Sequence, residues 1–320
     1  FGVHLTNTED QPIPDARVNL RKADQAYVTY VKTDADGYGG FEVVPHAVMV
    51  LEVDYHGATY ATDPIEVTEN TVVPVEFDVV VEVQTQGLAM KVTDSAGQPI
   101  ADARVNLRNA TGGYVTYTKT DAGGIAFFEV VPGAEMRLEL DYHGATYLTD
   151  PVVVDGYVEL PVQTKALSLR LIDSTGQPIE NARVNLRKAN DGYVTYAKTN
   201  ADGIASFEVA PGAQMKLEVD YHGGKVATAV TTINADTQLE VQTVPLGVHV
   251  TAGGVDLVNQ RVDLLKANGG CVTYAKTGAD GRVTFEVLPD ALHKVRSTYN
   301  DVTWISDAVI GPVEVAHGFD

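Results

Sequence analysis

The sequence predicts an all-β protein of four tandem β-sandwich domains set in a rod. Three observations carry this expectation. Apolar and polar residues alternate with period two over many short runs, turn residues interrupt those runs, and one block of sequence is written four times. "ARVNL" stands at 16–20, 103–107 and 182–186 and survives as "QRVDLL" at 260–265. "YVTY" stands at 27–30, 114–117 and 193–196, with "CVTY" at 271–274, and "DYHG" closes three copies at 54–57, 141–144 and 220–223.

The alternation assigns the strands. In "ARVNL" Ala16, Val18 and Leu20 share one face, while Arg17 and Asn19 share the other. In "MRLELDY" Met136, Leu138, Leu140 and Tyr142 oppose Arg137, Glu139 and Asp141. Successive side chains of a strand point to opposite sheet faces, so a half-buried strand needs this pattern. Enrichment in Val, Thr and Tyr agrees, and no comparable stretch keeps a helical spacing.

Turn chemistry separates the strands. "TDADG" at 33–37, "TDAGG" at 120–124, "TNADG" at 199–203 and "TGADG" at 277–281 each end a polar run on Gly, the residue that accepts positive φ at no steric cost. "HG" at 56–57, 143–144 and 222–223 reads as a tight hairpin. "DQPI" at 10–13 and "GQPI" at 97–100 and 177–180 turn the chain after the first strand, and proline there is kept out of an interior ladder. For the second repeat this gives seven antiparallel strands, at about 87–93, 103–109, 113–120, 125–130, 135–142, 145–149 and 152–163, the pattern of a two-sheet sandwich.

Arg17, Arg104, Arg183 and Arg261 stand 87, 79 and 78 residues apart. Each repeat is large enough to bury its own core. The expected domains are residues 1–86, which carry an insertion, then 87–165, 166–244 and a divergent 245–320. The joints "VQTQGLAM", "VQTKALSL" and "VQTVPLGV" lack Gly/Ser-rich or Pro-rich linkers, which predicts a stiff rod.

The stretch "DSAGQPIADARVNLRNATGGYVTYTKTDAGGIAFFEVVPGAEMRLELDYHG" resembles the prealbumin-like, immunoglobulin-like modules of bacterial surface proteins. These include carboxypeptidase-regulatory-like domains and the B-type repeats of collagen adhesins. The shared features are G-x-P-I-x-x-A-x-V, T-D-A-x-G and F-E-V-x-P-G. The resemblance implies stalk or fibre subunits, some members of the family carrying an internal lysine amide crosslink. Such a crosslink needs a lysine amine, and the first strand supplies Lys91 only in repeat two, against His4, Arg170 and His249 elsewhere.

With 43 acidic and 23 basic residues the formal net charge is −20. That surface repels nucleic acid and anionic lipid, and no apolar run reaches the length of a membrane span. The chain opens at Phe1 inside a strand pattern, which suits a mature secreted protein as well as a fragment. Cys271, the single cysteine, takes the place of Tyr27, Tyr114 and Tyr193 and reads as a small buried hydrophobe.

No catalytic residue is expected, nor any cofactor or metal ligand. P-loop and dinucleotide fingerprints are absent, and no serine recurs beside a histidine. The acidic turns pair carboxylates two residues apart, as calcium loops do, but the pairs differ between copies: Asp34 with Asp36, Asp121 alone, Asn200 with Asp202, Asp280 alone. They read as turn formers, with weak calcium binding the alternative. His56, His143 and His222 read as polar residues of hairpin tips, since a metal site needs convergent ligands.

By parity Tyr30, Tyr117, Tyr196 and Tyr274 fall with the core-facing residues. Tyr27, Tyr114 and Tyr193 fall outside, either as ordinary exposed residues or as a periodic contact surface for a neighbouring chain or a glycan. Val83 follows Gly57 by 26 positions, against an offset of 18 in the next two repeats. The excess holds Val75, Phe77, Val79 and Val81 on one parity. An apolar strand of this kind is a hazard unless covered, so these residues, with Phe1 and Phe319 at the chain ends, are the candidate self-association surface. The functional expectation is a non-enzymatic structural subunit of an extracellular filament or cell-surface stalk, forming a homopolymer through its ends without membrane insertion. The alternative is a multivalent adhesin for glycan or a surface protein.

Overall fold

The computed structural model describes residues 1–68 and 80–320. Every element in them is a strand, and the strands form eight sheets, two to each repeat. In repeat three the strand Lys165–Ile172 forms the centre of a small sheet. Ile204–Val209 flanks it antiparallel and Thr237–Gln242 flanks it parallel. The larger sheet runs Tyr193–Lys198, Arg183–Lys188, Ala213–Tyr221 and Gly224–Ala227, with Thr231–Ile233 also paired to Ala213–Tyr221. Leu167, Leu169 and Leu171 from the small sheet meet Val184, Leu186, Met215, Leu217 and Val219 from the large one in a fully buried core. Each such side chain stabilises the fold by about 1.5–3 kcal/mol relative to exposure.

Two details depart from the alternation reading. Repeats two and three have eight strands, because the run at 152–163 is two elements. Val152–Val154 pairs with Ala134–Met136 in the large sheet, and Val158–Gln163 lies in the small sheet. The chain changes sheets at Asp155–Gly156, and a change of partner leaves no mark on a period-two pattern. The eighth strand is also parallel to the first, so the repeat is not wholly antiparallel. Pro161 is tolerated there because this strand forms the edge of its sheet.

A β-bulge overturns the tyrosine assignment. Leu186 stands opposite Thr195, but Arg187 stands opposite Tyr193, which leaves Val194 as the extra residue. All four repeats share this shift. An extra residue flips parity, so both tyrosines of "YVTY" face outward. Tyr27 is 51% exposed and Tyr30 49%, and the tyrosines of the later copies match them. Tyr30, Tyr117, Tyr196 and Tyr274 are thus outer-face residues rather than core. Cys271, in the place of Tyr27, is likewise exposed rather than buried.

By packing, the chain divides into two compact units, Phe1–Tyr142 with Thr146–Thr164, and His143–Ala145 with Lys165–Asp320. Within each, the acidic turns hold the fourth strand beside the first. Gly203 has φ +75°, and a Cβ there would lie 2.4 Å from the Leu171 carbonyl oxygen. Gly176, at φ +88°, has nothing near its Cβ position. Gly176→Ala is therefore expected to cost about 1–2 kcal/mol, the left-handed penalty alone. Gly203→Ala should cost at least about 2 kcal/mol more, because backbone cannot step aside as a side chain does. Calorimetric unfolding of the full chain checks the pair, and equal losses would contradict the close approach.

Candidate functional site

The acidic turns use their side chains on their own backbone. Asp34 Oδ1 accepts from the amides of Asp36 at 3.0 Å and Tyr38 at 2.9 Å, and Asn200 Oδ1 accepts from Asp202 and Ile204 in the same way. Among the described residues no group of three or more His, Cys, Asp or Glu side chains is placed to hold a metal. Lys91 is exposed on its strand.

The outer face of each large sheet carries a repeated polar strip. Arg187 Nη2 donates to Glu218 Oε1 at 3.0 Å, Asn185 Nδ2 donates to the same oxygen, and Arg183 Nε donates to Asn185 Oδ1. Burial pushes the Glu218 carboxyl up, but these hydrogen bonds and Lys225 prevail and hold it below its ordinary value. The Arg183 guanidinium lies 4.0 Å from the centre of the Tyr196 ring, and Arg17 over Tyr30, Arg104 over Tyr117 and Arg261 over Tyr274 repeat the stack. Within each repeat the strip sets a tyrosine ring and a guanidinium side by side on the outer face of the large sheet.

Sequence reasoning missed the second repeated constellation, which joins one repeat to the next. In unit one the hairpin tip of repeat one docks on repeat two. His56 Nδ1 lies 2.7 Å from the Glu129 carbonyl oxygen, which can only accept, so Nδ1 carries the proton. The Glu129 carboxylate accepts from Thr8 Oγ1 at 2.6 Å and from Thr85 Oγ1. A Cβ on Gly57 would lie 2.7 Å from Val115 Cγ2. Tip and socket therefore meet backbone to side chain, and glycine is required.

Unit two repeats the joint between repeats three and four. His222 Nδ1 donates to the Glu286 carbonyl oxygen at 2.9 Å. The Glu286 carboxylate accepts from Ser174 Oγ at 2.6 Å, from the Ser174 amide at 3.0 Å and from Thr243 Oγ1. Leu288 and Ala291 of repeat four belong to the core cluster of repeat three, and a Cβ on Gly224 would lie 2.6 Å from Ala291 Cβ. Also within unit two, His143 Nδ1 lies 2.6 Å from the Glu208 carbonyl oxygen. The histidines are tip residues, as expected, but they act as half-buried donors. The signal available in sequence was the joint occurrence of "YHG" and "VQT" in repeats one to three, together with the loss of both from repeat four.

The candidate self-association residues are placed as follows. Phe1 and Phe319 are buried, 4% and 6% exposed, in the interiors of their own repeats. Val81 is half-buried on a strand paired parallel with Gly2–Thr6, opposite Val3. Val75, Phe77 and Val79 lie outside the described residues. No helix of the described residues is long and apolar enough to cross a membrane.

A family model for the carboxypeptidase regulatory-like domain matches residues 166–247, the stretch of repeat three. No curated protein matches the chain. Solved structures with similarity include the Bacillus anthracis TIE protein, at 12% identity and a TM-score of 0.23, covering 96% of this chain and 68% of that one. They also include BcpA, the major pilin subunit of Bacillus cereus, at 13% identity, 75% and 97% coverage and a TM-score of 0.23. The full-length major pilin SpaD from Corynebacterium diphtheriae has 11% identity, 73% and 96% coverage and a TM-score of 0.22.

Burial holds the His222 imidazole below its ordinary pKa of 6.5, against the hydrogen bond to Glu286 that favours the charged form. Below about pH 6.5 the unfolded chain then binds more protons than the folded one, so stability falls as pH drops through that window. His222→Gln should reduce the change in melting temperature between pH 7.5 and pH 5, and an unchanged difference would remove His222 from the acid response. Glu286→Ala strands the Ser174 and Thr243 hydroxyls and should cost about 1–3 kcal/mol, read as a lower melting temperature. A change within error would show that water replaces the carboxylate.

Proposed function

We propose that this protein is a non-enzymatic structural subunit of an extracellular filament or cell-surface stalk, in which copied domains supply length. Its domains are residues 1–86, 87–165, 166–244 and 245–320. The observation that carries this reading is the recurring joint, in which a carboxylate takes hydroxyls from a turn and a linker while a histidine–glycine tip seats beside it. Machinery whose repeated feature is domain-to-domain fixation suits a spacer. The acidic surface and the carboxypeptidase-regulatory-like match of repeat three agree with a surface protein. The filament form of this reading has the chains assembling into a homopolymer.

One observation favours the second reading, a multivalent adhesin. Paired tyrosines stand exposed on the same face in repeats one to three, each second tyrosine under an arginine. Flat aromatic faces of this kind stack on sugar rings or on a partner protein. Electron microscopy of native material separates the two, since a structural subunit should appear as filaments or surface stalks. Dispersed chains that bind glycan, and lose the binding on Tyr193→Ala with Tyr196→Ala, would replace the structural reading with the adhesin.

A further inference from the structure

Repeat one carries the socket residues common to repeats two and three, and its socket is open. Val44 is 74% exposed, whereas its counterparts Val131, Ala210 and Leu288 are 0% exposed. Val28 is exposed, whereas Val115, Val194 and Val272 are half-buried. Glu42 is exposed where Glu129, Glu208 and Glu286 are half-buried, and Ala47 is half-buried where Ala134, Ala213 and Ala291 are buried. In unit two Gly224, beside the tip glycine, approaches Leu288 and Ala291, the residues that correspond to Val44 and Ala47. In unit one a tip glycine approaches Val115, the counterpart of Val28. The exposed patch on repeat one is therefore the same surface as an interface already present within the chain.

The tip of repeat four does not match it. Its hairpin has the same backbone, with Asn300 and Asp301 at φ 44° and 63° against His56 and Gly57 at 48° and 72°. But Asp301 puts a Cβ where the seated tips require glycine, and Val302 replaces Ala58 or Gly224. The other two donors are missing as well. Gly253 stands in place of Thr8 and Ser174, and Phe319 stands in place of Thr85 and Thr243, by register along the first strand. Phe319 instead joins an aromatic cluster, 4.7 Å from His317 and 5.6 Å from Tyr299, with Trp304 stacked on His317 at 4.3 Å.

We infer that the open face of repeat one, built from Val28, Glu42, Val44 and Ala47, is an acceptor for one further repeat of this type, entering with a Tyr-His-Gly hairpin. The tip of repeat four is not its ligand. End-to-end assembly of this chain, the filament form above, has to use other surfaces.

The test uses the full chain with Cys271→Ser and Val44→Cys, so that the thiol at position 44 reports the socket. A copy of residues 166–245 fused before Phe1 brings a Tyr-His-Gly tip and its threonine linker to the native spacing. Maleimide modification at position 44 is expected to slow at least about tenfold in the extended chain, as it does when the open form is a minor population. An unchanged rate overturns the inference. Gly223→Asp within the fused copy, which imitates Asp301, should restore the parent rate. Shielding that survives this change would show that the glycine tip is not what the face recognises. The parent's own rate should be independent of its concentration, and a rate that falls as concentration rises would make a second copy the occupant and overturn the assignment.

Discussion

A half-buried carboxylate is the constraint on which each described joint depends. Glu129 and Glu286 sit at the end of the F-E-V strand, on the outer side of the small sheet, where the next chain segment would otherwise strip them of water. A carboxylate in that position is costly unless its oxygens are filled. Two hydroxyl donors fill them, one from the turn after the first strand and one from the linker threonine. Hydrogen bonds to a charged group are each worth about 1.5–3 kcal/mol, so the linker is held at both ends of its short path. Thr85 and Thr243 are themselves buried, and an unpaired hydroxyl there would be penalised as well. Each partner is thus needed by the other, which fixes the joint more firmly than apolar contact alone.

The apolar part of the joint then makes the repeats less separate than their sequences suggest. Leu288 and Ala291 pack with the core of repeat three, and the glycines of the tip let backbone approach side chains without a gap. Local sequence explains why. A type I′ hairpin needs positive φ at both central residues, and His-Gly supplies that turn while leaving an imidazole to donate forward. One dipeptide therefore closes a hairpin inside its own repeat and opens a contact with the next.

Much of this was legible in the sequence. The alternation of Leu167, Leu169 and Leu171, and of Met215, Leu217 and Val219, gives the core directly, and the turns fall at the Gly, Asp and Pro clusters. Three things were not legible, each for a physical reason. The split of 152–163 changes which sheet the chain pairs with, while side-chain parity carries no information on pairing. The parallel eighth strand is a matter of topology, invisible to local pattern. The outward Tyr196 depends on one bulged residue, Val194, and a single insertion reverses every parity beyond it. The joint lay in plain view as repeated "HG", "VQT" and "FEV", but each piece makes sense alone as turn, linker or strand. Only the fold brings Ser174, Thr243 and His222 to Glu286.

The differences between repeats are as informative as their likeness. Repeat four keeps the residues that receive a tip and keeps Tyr299, but exchanges the histidine, the glycine and both hydroxyl residues that would offer one. Three unrelated replacements, Gly253, Phe319 and Asp301, fall on three separate elements that the fold of repeat four brings to one end, Gly253 donating its amide to the Phe319 carbonyl at 2.9 Å. Drift in a single loop would not choose them together. The aromatic cluster around Phe319 fills with packed rings the place where the other repeats present hydroxyls, so that end of the repeat is closed by its own side chains. Repeat one shows the opposite, a receiving face that stays exposed among the described residues. Direction is thus written into the chain residue by residue, as donors and acceptors of one recurring contact.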